Sequence, residues 1–258
     1  MLLPRADRQA APLALRPWPS VLFTWGPGGA SDLHAHHCWH LLVGLDGPLR
    51  IRRPDAADVE SRAALTRPHA PHAVDATETR VAIVFVEPES RLGERLRHAV
   101  EAPVLAVGGD VASSIVTALS RLVDEGVEDI EAPLASVFAV LGVDADSPIP
   151  RHPGLRRVLH HLRQAPPEAD LSLEALAVVA GLSTGRLMHV FTEEVGVPLR
   201  PYLLWLKLER AALALAGGMA LSEAAHAAGF SDAAHMSRTF RRMYGVAPSD
   251  LRRRSGGA

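Results

Sequence analysis

Between Val21 and Val86 the chain alternates short apolar runs with clusters of glycine, proline and aspartate. The runs include Val21-Leu22-Phe23, Leu41-Leu42-Val43, Leu49-Arg50-Ile51 and Val81-Ala82-Ile83-Val84-Phe85-Val86. Runs this short, punctuated this often, predict the strands of a small β-barrel or sandwich over residues 15–90. The period then changes. Leu92, Leu96 and Val100, followed by Val111, Ile115, Ala118, Leu119 and Leu122, recur at helical spacing and predict a helical segment over 91–143. Such helices either carry dimer contacts or cover the barrel, and the pattern suits both. Residues 1–20, rich in proline, arginine and alanine, read as a loose lead-in. Residues 144–153 hold Pro148, Pro150 and Pro153 among acidic and small residues and read as a linker.

Beyond the linker the apolar positions fall on helical faces throughout a predicted all-α domain, 154–254. A first helix spans Gly154 to Gln164, with Leu155, Val158, Leu159 and Leu162 on one side, and Ala165-Pro166-Pro167 ends it. Then one pattern occurs twice, 48 residues apart: a short apolar-faced helix, a glycine, an apolar residue, a serine and a longer helix. The first copy runs from Leu173 through Gly181, Leu182 and Ser183 to Phe191; the second runs from Leu221 through Gly229, Phe230 and Ser231 to Phe240. Each reads as a helix-turn-helix, whose second helix is shaped to enter a DNA major groove.

In the first copy Ser172 and Ser183 are placed to cap the two helices, and Gly181 can take the left-handed backbone of the corner. With Leu187, Val190 and Phe191 turned inward, the outer surface is Thr184, Gly185, Arg186, Met188, His189 and Thr192. In the second copy the spacing grows to 49 beyond the turn, so Met236 matches Leu187 and Phe240 matches Phe191. Ala233, Ala234, His235, Ser237, Arg238 and Arg241 then face outward. Tyr202 to Leu215 reads as one long connecting helix, with Leu203, Leu206 and Leu213 buried, suited to holding both reading helices in fixed relation for successive major grooves.

Charge sharpens this division. The net charge of −2 conceals 13 Lys+Arg against 20 Asp+Glu in residues 1–150, and 14 against 9 in residues 151–258. A basic C-terminal half suits a polyanion and an acidic N-terminal half does not. The single cysteine, Cys38, excludes an internal disulfide framework and fits a reducing cytoplasm. The N-terminus lacks the apolar stretch of a signal peptide, and the run Pro133 to Val143 is too short to span a bilayer. A cytoplasmic protein without a membrane partner is expected.

Residues 155–254 closely resemble the DNA-binding domain of the AraC/XylS family of bacterial transcription regulators. The stretch that carries the likeness is Ala228-Gly229-Phe230-Ser231-Asp232, His235-Met236-Ser237-Arg238-Thr239-Phe240-Arg241-Arg242 and Gly245-Val246-Ala247-Pro248-Ser249. The resemblance implies base contacts from Gly185, Met188 and His189 in the first unit and from Ala234, His235, Ser237 and Arg238 in the second. Arg238 can bond bidentately to guanine. Arg241, Arg242 and Arg200 suit phosphate, and a basic tail, Arg252-Arg253-Arg254, either does the same or frays. The first reading helix departs from the family in having glycine and methionine where longer polar side chains are common, with Glu193-Glu194 near its end. Its readout is therefore expected to be weak and to rest on Thr184, Arg186 and His189. Double-stranded promoter DNA, a second copy of the chain and, for an activator, RNA polymerase are the partners implied.

The N-terminal half carries further chemistry. Gly28, His34, His36, His40 and Gly47 are spaced as in the first cupin motif, with histidine in place of the usual glutamate; Pro68-His69-Ala70-Pro71-His72 resembles a looser second motif. On one strand His34, His36, Cys38 and His40 would share a face. With His72 they form a candidate metal site, and imidazoles with a thiol favour a transition-metal ion, Zn, Ni or Cu, over Mg²⁺ or Ca²⁺. His37 and His69 look peripheral, and Trp39 faces the other way. The alternative is that these histidines line a pocket for a small molecule. The expected fold is thus two-domain α+β: an N-terminal cupin-like β-barrel with following helices, and a C-terminal all-α domain with two helix-turn-helix units. The expected function is a DNA-binding transcriptional regulator, not an enzyme, sensing a metal-ion or small-molecule effector. The competing reading, a metal-dependent cupin enzyme fused to a DNA-binding domain, draws on the same histidines but lacks a recognisable acid–base pair.

Overall fold

The computed structural model describes residues 21–125, 131–143, 151–166 and 168–248. The lead-in 1–20, positions 144–150 of the expected linker, Ser249 and the tail arginines Arg252, Arg253 and Arg254 lie outside the described residues. The chain divides into two compact units: one holds the described residues 21–125, 131–143 and 237–248, and the other holds 151–166 and 168–236. Residues 237–248 thus group with the sheet-bearing unit, although the repeat pattern assigned them to the helical domain. Inside that unit Asp32 N–H donates to Gly245 O at 2.7 Å, and the Tyr244 ring meets Phe85 edge-on at 6.4 Å.

The sheet-bearing unit contains β1 (Val21–Pro27), β2 (Trp39–Gly44), β3 (Leu49–Arg53), β4 (Ala56–Ser61), β5 (Ala63–Thr66), β6 (Ala73–Asp75), β7 (Arg80–Val86) and β8 (Val104–Val107). They make a five-stranded antiparallel sheet, β1-β7-β2-β5-β8, and a three-stranded one, β4-β3-β6. β2 is central and buried along its whole length, so strand alternation sends its side chains into two different cores. Trp39, Leu41 and Val43 join Phe23, Leu65 and Val84 in the larger core. Leu42 joins Ala64 and Val81 of the same sheet against Leu49, Ile51 and Val74 of the small sheet. His40 shares the parity of Leu42, which places it on the face toward the small sheet.

The other face of the large sheet is covered by α1 (Arg91–Ala99), α2 (Gly109–Glu125) and α3 (Glu131–Val140). Leu96, Ile115, Leu119, Leu122, Val137 and Phe138 supply the helical side of the larger core. Burial against the sheet accounts for the helical spacing in this stretch. The same stretch also yields a strand the periodicity did not show: β8 pairs with β5, Ala63 opposite Val107 and Thr66 opposite Val104. Four apolar residues in a row carry no period, so Val104-Leu105-Ala106-Val107 could not be assigned from its pattern.

The helical unit contains α4 (Pro153–Gln164), α5 (Leu173–Ala180), α6 (Thr184–Val195), α7 (Leu199–Ala216) and α8 (Leu221–Ala227); α9 (Ala233–Tyr244) begins in it. Leu155, Val158 and Leu162 of α4 pack with Leu176 and Ala180 of α5, Leu187 and Phe191 of α6, and Tyr202 and Leu206 of α7. Among the described residues no single helix is long and apolar enough to cross a membrane.

Candidate functional site

Each helix-turn-helix corner is set by a few hydrogen bonds. Ser172 Oγ accepts from Ala175 N–H, which starts α5. Gly181, at φ +62°, stops it: its N–H reaches the Val178 carbonyl, and Leu182 N–H reaches Ala177 O at 3.1 Å. Arg157 of α4 donates to the Val179 and Ala180 carbonyls, placing a cation at the negative end of α5. Ser183 Oγ then accepts from Arg186 N–H and opens α6.

The second corner repeats the plan with one substitution. Gly229 is left-handed at φ +78°, and Phe230 N–H reaches Ala225 O at 2.9 Å. Here Asp232, not Ser231, accepts from His235 N–H, while Ser231 Oγ lies 3.3 Å from His235 Nδ1. Moving the cap by one residue explains why the repeat spacing grows from 48 to 49 beyond the turn. Lys207 Nζ donates to Gly229 O at 2.9 Å, tying the corner to α7. At 18 residues α7 is about 27 Å long, and Tyr202, Trp205, Leu208 and Ala211 are buried along it. Leu206 is buried as well, whereas Leu203 and Leu213 are only half-buried.

On α6, Gly185, Arg186, Met188, His189 and Thr192 are exposed and Thr184 is half-buried, while Leu187, Val190 and Phe191 lie inside. His189 Nε2 sits 3.5 Å from Glu193 Oε2 one turn on, with both side chains largely in solvent. On α9, Ala234, His235, Arg238, Arg241 and Arg242 are exposed. Ser237, placed outward by the repeat, is half-buried, and Thr239 beside it is buried.

The histidines do not lie on one strand. β2 begins only at Trp39, and residues 34–38 are irregular, held by a bridge in which His34 and His72 exchange backbone hydrogen bonds at 2.9 Å. This path still gathers four of them. His36 Nε2 lies 3.1 Å from His40 Nδ1, and His40 Nδ1 lies 3.5 Å from His72 Nε2. His34, His36 and His72 can each offer a ring nitrogen within 4.8 Å of the others. The remaining nitrogens explain the orientation. Nδ1–H of His34, His36 and His72 donates to the carbonyls of Asp32, Cys38 and Ala70 respectively, which makes Nε2 the lone-pair nitrogen of each ring, those of His36 and His72 facing His40 Nδ1. His40 Nε2 is buried without a hydrogen-bond partner.

Burial, more than any neighbouring charge, lowers the pKa of all four. His36 and His40 fall well below the ordinary range, His34 falls less, and His72 comes down to about 4. These are neutral imidazoles at neutral pH. Cys38 Sγ sits 3.3 Å from His36 Nδ1, at the nitrogen that faces away from His40. Trp39 packs into the opposite core.

His37, which looked peripheral in the sequence, is buried. Its Nε2 lies 3.3 Å from the equally buried Glu89, and its Nδ1 lies 3.2 Å from the exposed His69. The bend at 37–38 swings it away from the other histidines. Its partner Glu89 is 52 residues away, and no local pattern could have announced the pair.

Comparison with known proteins agrees with this architecture. The helix-turn-helix family HTH_18 matches residues 176–254. The regulator GlxA of Rhizobium meliloti, described as an HTH-type transcriptional regulator, is 36% identical over 106 residues, 41% of this chain and 32% of its own length. The transcriptional activator NphR of Rhodococcus is 31% identical over 143 residues, 55% of this chain and 38% of its own. The chain spans about a third of the length of these relatives. Crystal structures of ToxT from Vibrio cholerae align over 93% of this chain and 99% of theirs, with TM-score 0.63 at 10% identity. Another, with an unsaturated fatty acid bound, aligns over 94% and 98% at 0.61 and 11%. The fold is that two-part, sheet-then-helix architecture, and residues 176–254 carry the match to the helix-turn-helix family.

Proposed function

We propose that this chain is a sequence-specific DNA-binding transcription regulator whose sheet-bearing unit senses a transition-metal ion. The observation that carries the first half is the pair of capped helix-turn-helix corners joined by α7, followed by α6 and α9 with exposed outer faces. Arg238 is assigned to a base edge, and Arg241 and Arg242 to phosphates. The test is selection of duplexes from a random library by the full-length protein, followed by titration of the recovered duplex across salt. A preferred sequence and a steep fall of affinity with salt are expected. Uniform binding of all duplexes would overturn this half.

The metal reading rests on the histidine geometry. Tetrahedral zinc–imidazole bonds place ligand nitrogens about 3.4 Å apart. Ring nitrogens of His34, His36 and His72 lie within 4.8 Å of one another, within reach of that spacing, and each of these three rings has its other nitrogen already bonded to backbone. His34, His36 and His72 would hold the ion, with His40 beside them; zinc, nickel or copper suits this all-nitrogen set. A bound ion would supply positive charge that pins the 34–38 segment to His72. The protein residues hold themselves neutral by burial and orient their lone pairs through the carbonyls of Asp32, Cys38 and Ala70.

ToxT with its fatty acid suggests the other effector class, a small organic acid. The convergence of ring nitrogens from His34, His36 and His72 favours the metal. Metal analysis of protein purified without a histidine tag decides between them: bound metal in the wild type, lost in a His34→Ala/His36→Ala variant that keeps its circular dichroism spectrum, supports the site. Metal-free wild type that also fails to take up zinc returns the pocket to an organic ligand. Homodimer formation and, for an activator, contact with RNA polymerase belong to the same reading.

A further inference from the structure

We infer that α6 reads its half of the binding site through the 5-methyl group of thymine, with Met188 as the reading side chain. The inference rests on the DNA-binding reading above and adds to it what the first helix recognises. The outer face of α6 is built differently from that of α9. Gly185 offers no side chain, and a Cβ built there meets nothing within 4 Å. His189 is engaged with Glu193 at 3.5 Å. Between them stands Met188, an exposed thioether at 47% accessibility, on a helix whose other large apolar side chains, Leu187, Val190, Phe191 and Val195, are buried. Among the described residues the other exposed large apolar side chains are Leu33, Leu105, Val140 and Val178. Met188 alone among these five sits on a helix that follows a helix-turn-helix corner.

The duplex is the fitting occupant on grounds of charge: residues 151–258 carry 14 basic against 9 acidic residues, and Arg186 is exposed two positions before Met188. In the major groove the only apolar feature of a base edge is the C5-methyl of thymine. The missing side chain at Gly185 lets the first turns of α6 approach the bases closely. An unbranched thioether can then lie along the methyl, gaining contact area without a hydrogen-bond demand. The readout of α6 is thus apolar, not a weakened version of the polar readout expected from Thr184, Arg186 and His189.

The experiment uses the full-length chain and the duplex it selects. Each thymine in that duplex is replaced singly by deoxyuridine, which keeps the pairing edge and removes only the methyl. At one or two positions affinity should fall three- to tenfold. Met188→Ala should lose the same factor on the thymine duplex and become indifferent to deoxyuridine at those positions, and Met188→Leu should recover most of the sensitivity. Arg238→Ala should weaken binding while leaving the deoxyuridine penalty in place. Indifference of the wild type at every thymine overturns the inference, as does a penalty that persists in Met188→Ala or disappears in Arg238→Ala. Failure to select any preferred duplex overturns the DNA-binding reading itself, and this inference with it.

Discussion

Arg238 and Arg241 lie three positions apart on the exposed side of α9, yet they should behave differently when removed. A guanidinium bidentate to guanine carries sequence information, whereas one on a phosphate does not. Arg238→Ala should cost roughly 1–3 kcal/mol at one base-pair position and relax preference there. Arg241→Ala should weaken binding to all duplexes alike and lower the salt slope by about 1. Fluorescence anisotropy on the selected duplex and its single-base variants, across salt, separates the two; equal loss on every sequence for Arg238→Ala would make it a phosphate contact. These exposures were legible in the sequence because helical period alone fixes which side faces out. Ser237 shows where that reasoning stops. It occupies an outward position by repeat alignment, but it is half-buried, and the helical period says nothing of what packs on a helix from outside it.

At the scale of elements, the corners were readable and the irregular stretches were not. Gly181 at φ +62° and Gly229 at φ +78° follow from their place after an apolar-faced helix and before a cap. Gly181→Ala forces a side chain into the left-handed region, with its Cβ 3.1 Å from Arg157 Nη2, and should destabilise the helical unit by about 1 kcal/mol. The cap substitution was missed, because serine and aspartate both favour that role and the pattern could not choose between adjacent candidates. Asp232→Ala should therefore cost about 1 kcal/mol in denaturant unfolding, and Ser231→Ala much less; the reverse order would return the cap to Ser231. The path of residues 34–38 was unreadable for another reason. Alternation assumes a continuous strand, and the pairing that replaces it comes from His72, far along the chain. Gly245 ends α9 at φ +69°, with a would-be Cβ only 2.5 Å from Asp32 O and His34 Nδ1. Gly245→Ala should thus exceed the Gly181→Ala penalty, and the excess should appear as weakened zinc retention in equilibrium dialysis.

For the molecule as a whole, the buried histidines link stability, pH and metal. In metal-free protein each imidazole titrates near 6.5 when unfolded but lower when folded, and His72 only near pH 4. The unfolded chain therefore binds more protons between those limits, and stability falls as pH drops from about 6.5 toward 4. His72 alone sets a loss on the order of 3 kcal/mol over that range, and His34, His36 and His40 act in the same direction. The loss belongs to the sheet-bearing unit, since all four lie in it. A metal bound to the neutral imidazoles opposes it: at a free concentration of 100 times Kd it adds about 2.7 kcal/mol at neutral pH. Because burial keeps protons off the rings, that gain should persist to a pH where ordinary histidine ligands would already be lost. Denaturant unfolding in chelator at about pH 7 and about pH 4.5, repeated with zinc, reads both effects. A metal-free stability that stays flat across this interval would mean that the rings are hydrated or already charged, and the neutral, lone-pair-converging cluster on which metal sensing depends would not exist.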